Sequence, residues 1–151
     1  MRAINHALTG AIIGIAVPIP IIALPLALAS HFICDAIPHY GDERTPLKSK
    51  LFAYGLLVDA LLCIALVCVL FSTNQPSWFI ASLCAFIATS PDFFWVPKYL
   101  RARKDKKFSD KPNWFMRWAK DIQWFEKPIG AVVEFAWLIA GSTVLFALLS
   151  A

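Results

Sequence analysis

The fold is decided by residues 51–71, LFAYGLLVDALLCIALVCVLF, an apolar run interrupted by one charge, Asp59. As an α-helix this run covers about 30 Å, the thickness of the hydrocarbon core of a membrane. The 151-residue chain is 59% hydrophobic and 16% charged, with a mean hydropathy of +0.64. Soluble domains carry about 25% charged residues. The sequence therefore predicts an all-α, polytopic helical membrane protein with a single membrane domain, 1–151.

Further apolar segments flank this run on both sides. Residues 77–97 and 129–150 predict two more spans, and residues 4–37 predict a helical hairpin that is broken around Pro18 and Pro20. Each hairpin arm is about 13–17 residues long, near the lower limit for crossing a bilayer. The hairpin is thus either re-entrant or barely spanning. Arg2 and the small residues near position 28 also fit a signal peptide, but the prolines and His6 favour the hairpin.

The segment 110–127 is basic and aromatic rather than uniformly apolar. Trp114, Phe115, Trp118 and Ile122 recur at helical spacing, while charged residues fill the other faces. This pattern is typical of an amphipathic helix that lies in the membrane interface. The alternative is a loop helix that packs on the spans.

The cations are concentrated in one stretch. Ten of the fourteen Lys and Arg residues lie in 98–127, three lie in the 41–50 loop, and the 72–76 turn has none. The positive-inside rule places both basic loops and Arg2 in the cytoplasm, so that the N-terminus is inside and the C-terminus outside. No motif for nucleic-acid binding accompanies this charge, which therefore indicates contact with the lipid bilayer. The four cysteines lie in apolar runs without a CxxC pair and are expected to be reduced thiols.

The ionisable residues of the apolar segments all map to the cytoplasmic end of this topology. They are His6, His31, Asp35, His39, Asp59, Asp92 and Glu134. A charge within a span costs at least about 2.5–3.5 kcal/mol and usually marks function. Carboxylates brought together must either protonate or share a cation. His31 and Asp35 lie one helical turn apart and could bind the same ion. Histidine and carboxylate ligands together suit zinc, with manganese or iron as alternatives.

Each of these residues also has a structural explanation. Asp59 could be protonated or bonded to a hydroxyl group, and Asp92 could favour the start of a short helix. Glu134 could pair with a cation of the amphipathic helix. The histidines could be ordinary residues at helix ends. The argument for a metal site therefore depends on the set rather than on any one member.

Three short motifs carry a resemblance to a known family. They are His6-Ala7-Leu8-Thr9-Gly10, Ser30-His31-x3-Asp35-x2-Pro38-His39 and Ser90-Pro91-Asp92. The chain resembles small bacterial inner-membrane hydrolases of the LexA-regulated type, which are distantly similar to zinc-dependent phospholipase C. The resemblance implies a bacterial inner-membrane location, and the spacing of His31 and Asp35 matches a ligand pair of that phospholipase. A second HxxxE pair is missing because Gly130 stands four residues before Glu134, so we expect one or two ions.

The sequence thus predicts a membrane-bound metal-dependent hydrolase that acts on a phosphoester, such as a lipid headgroup, at the cytoplasmic interface. The predicted metal ligands are His6, His31, Asp35, Asp59 and Asp92. His39 or Glu134 would transfer the proton. Two alternatives are an ion or proton transporter and a non-catalytic membrane subunit with a structural metal. The oligomeric state is left open by the sequence.

Overall fold

The computed structural model describes residues 1–41, 49–104 and 113–150 of the chain. Within these ranges the protein is helical and has no β-strand, which confirms the predicted all-α class. The helices are α1 (Ala3–Ala16), α2 (Pro20–Ala36), α3 (Lys50–Ser72), α4 (Trp78–Thr89), α5 (Val96–Lys104), α6 (Trp114–Ile122) and α7 (Gly130–Leu149), and a 3-10 segment (Ser90–Trp95) links α4 to α5.

Three helical stretches are long and apolar enough to cross a membrane. They are α3, the continuous stretch Trp78–Arg101 and α7, with 23, 24 and 20 residues and hydropathies of 2.6, 1.5 and 2.1. The sequence predicted spans at 51–71, 77–97 and 129–150. Helices α1 and α2 have 14 and 17 residues and are shorter than these three. The three apolar stretches indicate a membrane protein.

In α3 and α7 apolar side chains are exposed and carboxylates are buried, which is the opposite of the pattern in a helix of a soluble protein. Most of their bulky apolar side chains face outward, including Leu57, Val132 and Phe146. Each helix buries three residues, and in each helix one of the three is a carboxylate, Asp59 or Glu134. Exposed apolar faces of this extent are expected where lipid, not water, surrounds the helix.

Helix α1 is the central element and packs against α2, α3, α4 and α7. Its closest approach is to α4, where two glycines four residues apart remove the side chains that would separate the helices. A Cβ atom on Gly10 would lie 2.4 Å from the Cys84 carbonyl oxygen, and one on Gly14 would lie 2.6 Å from the Cα of Ala81. Small residues at such a crossing are the usual means of close helix packing in membranes.

The break between α1 and α2 follows from proline chemistry. Helix α1 ends at Ala16, the backbone of Val17 is extended, and Pro20 begins α2. Proline has no N–H group and is well suited to the first position of a helix. The two helices pack on each other and on α4. Whether they form the predicted re-entrant or barely spanning hairpin stays a prediction.

The predicted interfacial helix at 110–127 contains a shorter helix in the structure. Helix α6 covers Trp114–Ile122, and residues 110–112 lie outside the described residues. The Asn113 side chain caps α6 by accepting a hydrogen bond from the Met116 N–H at 2.8 Å. The chain turns tightly after α6, and Glu126 then forms an isolated parallel bridge with His39.

The α1–α4 crossing predicts a sharp difference between two glycine substitutions. We expect Gly14→Ala to lower the free energy of unfolding by about 1–3 kcal/mol, the usual cost of overpacking, because its Cβ meets the backbone of α4. Gly55→Ala is the matched control, since its Cβ would meet only the flexible Arg2 guanidinium at 3.1 Å. Thermal unfolding in detergent measures both variants. Equal stability of the two would refute this account of the crossing.

Candidate metal centre

Three buried side chains from α1 and α2 converge at one end of the bundle. His6 comes from the first turns of α1, and His31 and Asp35 come from successive turns near the end of α2. The His6 Nε2 atom lies 3.2 Å from Asp35 Oδ1, and His31 Nε2 lies 3.3 Å from Asp35 Oδ2. One ligand atom from each residue lies within 4.8 Å of the others, so this triad could hold a metal ion.

The orientation of His31 is set by α4. The His31 Nδ1 atom lies 2.8 Å from the Ala88 carbonyl oxygen, which can only accept a hydrogen bond, so Nδ1 carries a proton. When His31 is neutral, its Nε2 lone pair therefore points towards Asp35. Metal-binding histidines are commonly oriented in this way by a backbone carbonyl.

His6 has the least satisfied side chain of the triad. Its ring is 0% exposed and stacks on the His31 ring with the centroids 4.1 Å apart. Neither ring nitrogen has a hydrogen-bond partner; Nε2 is close to Asp35 but is not aligned for such a bond. A buried polar group without a partner costs about 1–3 kcal/mol. An ion bound between His6 and Asp35 would remove that cost.

The triad lies in the two shorter helices, outside the three spans, and its protonation reflects burial and close contact. Burial lowers the pKa of His6 to about 4, which leaves the imidazole neutral at pH 7. Burial also disfavours the charged form of Asp35, but the close contacts of its oxygens with His31 and His6 and the positive charge of the Met1 amino group outweigh burial and hold the pKa of that carboxyl well below its usual range. For His31, the contact with Asp35 and the charge of Asp92 outweigh burial and raise its pKa.

Two further groups bind the Asp35 carboxylate. The amino group of Met1 lies 2.5 Å from Oδ1, and the Gln123 side chain donates to Oδ2 at 2.9 Å. Both Asp35 oxygens are therefore held in place. The carboxylates that bind metals in proteins are usually fixed by such additional hydrogen bonds.

Among the described residues, Asp92 is the carboxylate outside the triad that lies within 4 Å of one of its histidines. It lies in the 3-10 segment, where its Oδ1 is 3.9 Å from His31 Nε2, and its side chain is about one-third exposed. A cavity of about 10 Å³ opens beside His31 and Asp35, which is room for about one water molecule. Asp92 thus lies beside the triad but is not one of its three members.

Asp59 and Glu134 bind the start of α1. Asp59 accepts hydrogen bonds from the N–H groups of Ala3 and Ile4 at 2.8 and 3.0 Å. Glu134 accepts one from the Arg2 N–H at 2.8 Å. The first N–H groups of a helix have no partner within the helix, and carboxylates are favoured there by the helix dipole. These contacts account for both buried carboxylates without a metal.

His39 is buried but is held by a different part of the chain. Its Nδ1 atom contacts the Ile37 carbonyl oxygen at 2.9 Å, and its backbone pairs with the segment around Glu126. Gly130 packs directly on the His39 backbone, where a Cβ atom would overlap the carbonyl group. The catalytic roles of His39 and Glu134, and the ligand roles of Asp59 and Asp92, stay predictions.

Gln123 and Asn5 lie at the triad, although the sequence does not predict either of them as a site residue. Gln123 binds Asp35 from 88 positions away, and no local pattern distinguishes it from any polar residue after a helix. Asn5 is buried beside His6; its amide donates to the Glu134 carbonyl oxygen, and its Oδ1 has no partner. The only available signal for Asn5 was a polar residue within an apolar helix.

Comparisons with known proteins return no counterpart. No protein-family model, curated protein or solved structure matches the chain. The resemblance to membrane-bound metal-dependent hydrolases therefore rests on the short motifs quoted above, and the function is argued from the triad.

The two buried aspartates of α2 and α3 should behave differently when they are removed. We expect Asp59→Ala to lower the free energy of unfolding by about 0.5–2 kcal/mol, the cost of a lost helix cap, and to leave the metal content unchanged. Asp35→Ala should abolish metal binding. Elemental mass spectrometry and thermal unfolding of both purified variants test this. Loss of metal from a folded Asp59→Ala variant would instead make Asp59 a ligand.

Proposed function

We propose that this protein is a membrane-bound metal-dependent hydrolase that cleaves a phosphoester at the cytoplasmic face of the bacterial inner membrane. The observation that carries the proposal is the buried triad, in which both nitrogens of His6 lack a hydrogen-bond partner. If the triad were a packing feature that never binds metal, the two His6 nitrogens would be expected to have hydrogen-bond partners within the protein.

The donor set agrees with the proposed metal. Two imidazole nitrogens and one carboxylate oxygen are the protein ligands of many catalytic zinc sites, which keep a fourth position for water or substrate. Manganese and iron also accept these ligands. The triad has ligands for one ion. If a second ion were bound, Asp92, 3.9 Å from His31, would be a candidate ligand for it.

The surrounding residues suggest how the proton would move. A divalent ion in the triad would activate a water molecule and polarise a phosphoryl oxygen. Asp92 is closer to the triad than the predicted proton carriers and is partly exposed, so we assign it the role of proton acceptor. Glu134 is already bound to the Arg2 N–H, and His39 to the Ile37 carbonyl oxygen, which makes both less suited to that role.

The cytoplasmic location is supported by the charge distribution. The triad lies where α1 begins and α2 ends, and the 3-10 segment that brings Asp92 to His31 leads directly into α5, which carries Lys98, Arg101 and Lys104. Cytoplasmic loops are rich in Lys and Arg. Lipid headgroups are therefore the nearest phosphoesters.

A structural metal is the second candidate function. The observation in its favour is the size of the cavity beside the triad, about 10 Å³, which admits water but no phosphoester. A transporter would require ionisable groups along a path through the membrane. In the described residues, the buried carboxylates all lie at one end of the bundle, which gives less support to transport.

Metal content is the first test. Protein purified without chelators should contain about one equivalent of zinc, manganese or iron, as the three-ligand site implies. His6→Ala and His31→Ala should lose it, whereas His39→Ala, which removes the one histidine outside the triad, should retain it. A metal-free wild type, even after metal is added back, would refute the proposal.

Phosphodiesterase activity separates the two candidates. Hydrolysis of bis(4-nitrophenyl) phosphate and of phospholipids in mixed micelles should fall on the order of 100-fold or more in His31→Ala, because several kcal/mol of metal-derived stabilisation are lost. Asp92→Asn should keep the metal and lose activity. Bound metal with no hydrolysis of either substrate would favour the structural role.

A further inference from the structure

Helix α6 has two chemically different faces. Phe115, Met116, Ala119 and Gln123 line the cavity beside His31 and Asp35. The opposite face carries Trp114, Arg117, Lys120 and Asp121, all of which are exposed. Positions 114, 117 and 121 share one face because residues three and four apart are neighbours on a helix. One face is thus turned to the candidate metal centre and the other away from the protein.

The inner face closes the candidate metal centre. The cavity beneath it has a volume of about 10 Å³, enough for a water molecule and too small for a phosphoester. Gln123 donates to Asp35, so that α6 is bonded directly to a residue of the triad. A substrate can reach the triad by this route only if α6 moves.

The attachment of α6 is slight. None of its residues is buried. Beyond the Gln123 contact, the Trp124 indole donates to the Ala36 carbonyl oxygen at 2.8 Å, and the ring of Phe32 contacts Phe115 and Trp118. An element with few buried contacts and two such hydrogen bonds belongs to the part of a protein that opens most easily.

The outer face has the composition of a surface that binds anionic membranes. Exposed tryptophans are typical of the membrane–water interface, and Arg117 and Lys120 attract acidic headgroups. The Phe94 ring contacts Phe115, which places the 3-10 segment beside α6, and α5 continues from it with Lys98, Arg101 and Lys104. The aromatic and basic groups of α5 and α6 therefore adjoin the closed site.

We propose that α6 is a lid over the metal centre, and that binding of its outer face to an anionic lipid surface lifts the lid from Asp35. This inference rests on the proposed function, because it identifies what regulates access to the same site. In a neutral membrane α6 stays closed through Gln123 and Phe32. In an anionic membrane, Trp114, Arg117 and Lys120 enter the headgroup layer, the Trp118 ring separates from Phe32, and α6 leaves the cavity.

The test compares the full chain in nanodiscs of pure phosphatidylcholine with nanodiscs containing 40% phosphatidylglycerol. Two rates are measured: amide hydrogen exchange of α6, and removal of bound zinc by EDTA. Both should rise about 5-fold or more in the anionic nanodiscs, the lower end of the usual coupling between two binding events. The increase should disappear in 0.5 M salt, because exposed charges are then screened.

Three variants assign the effect to named contacts. Arg117→Gln/Lys120→Gln should lose the response to phosphatidylglycerol and keep slow exchange in both membranes. Lys50→Gln, which removes an exposed cation of α3 outside α6, should respond as the wild type does. Gln123→Ala should exchange and release zinc rapidly in both membranes because its bond to Asp35 is gone.

Failure of the lid and failure of the proposed function give different results. Equal exchange of α6 in the two membranes overturns the lid, even if the protein binds zinc and hydrolyses phosphoesters. A protein without zinc fails the proposed function, and hydrogen exchange then decides on its own whether anionic lipid moves α6. Faster exchange that persists in Arg117→Gln/Lys120→Gln also overturns the proposal, since it would not depend on these cations.

Discussion

The packing of the bundle depends on the hydrogen bonds that the first backbone N–H groups of α1 donate, because this end of the helix is buried. Helix α1 is surrounded by four other helices, so its first N–H groups have little access to water. Asp59 of α3 and Glu134 of α7 accept the hydrogen bonds of Arg2, Ala3 and Ile4. A buried helix end without partners would be costly, and in a membrane water cannot supply them. The two carboxylates thus hold the first turn of α1 against α3 and α7.

The position of α1 in turn shapes the candidate metal centre. His6 lies on the second turn of α1, and with the first turn held by Asp59 and Glu134 its ring stacks on His31 and approaches Asp35. Gly10 and Gly14, further along α1, allow the close contact with α4 whose Ala88 carbonyl orients His31. The carboxylates of the bundle are thereby divided. Two hold the backbone, while Asp35 and the neighbouring Asp92 face the histidines.

Enclosure of the triad has opposite consequences for binding and for access. Burial keeps His6 neutral and strengthens every electrostatic contact of Asp35, both of which favour a bound cation. The same burial leaves only a small cavity beneath α6. A closed site of this kind has room for about one water molecule, and such sites are commonly opened by loops or short helices at their rim. The amphipathic α6 occupies that position.

Much of the architecture is determined by sequence alone. Apolar length and the scarcity of charges specify the three helical stretches that are able to span a membrane, because a helix that satisfies its own backbone is the one structure an isolated apolar segment can adopt in lipid. Proline positions specify the break at Val17, and the spacing of His31 and Asp35 places them on one face of α2. Which carboxylate holds a helix end and which faces the histidines could not be deduced. That division depends on contacts such as Asp59 with Ala3 and Gln123 with Asp35, between residues 56 and 88 positions apart. Only the packing of the helices decides such contacts, because a local pattern fixes the face on which a side chain lies but not the neighbour that it meets.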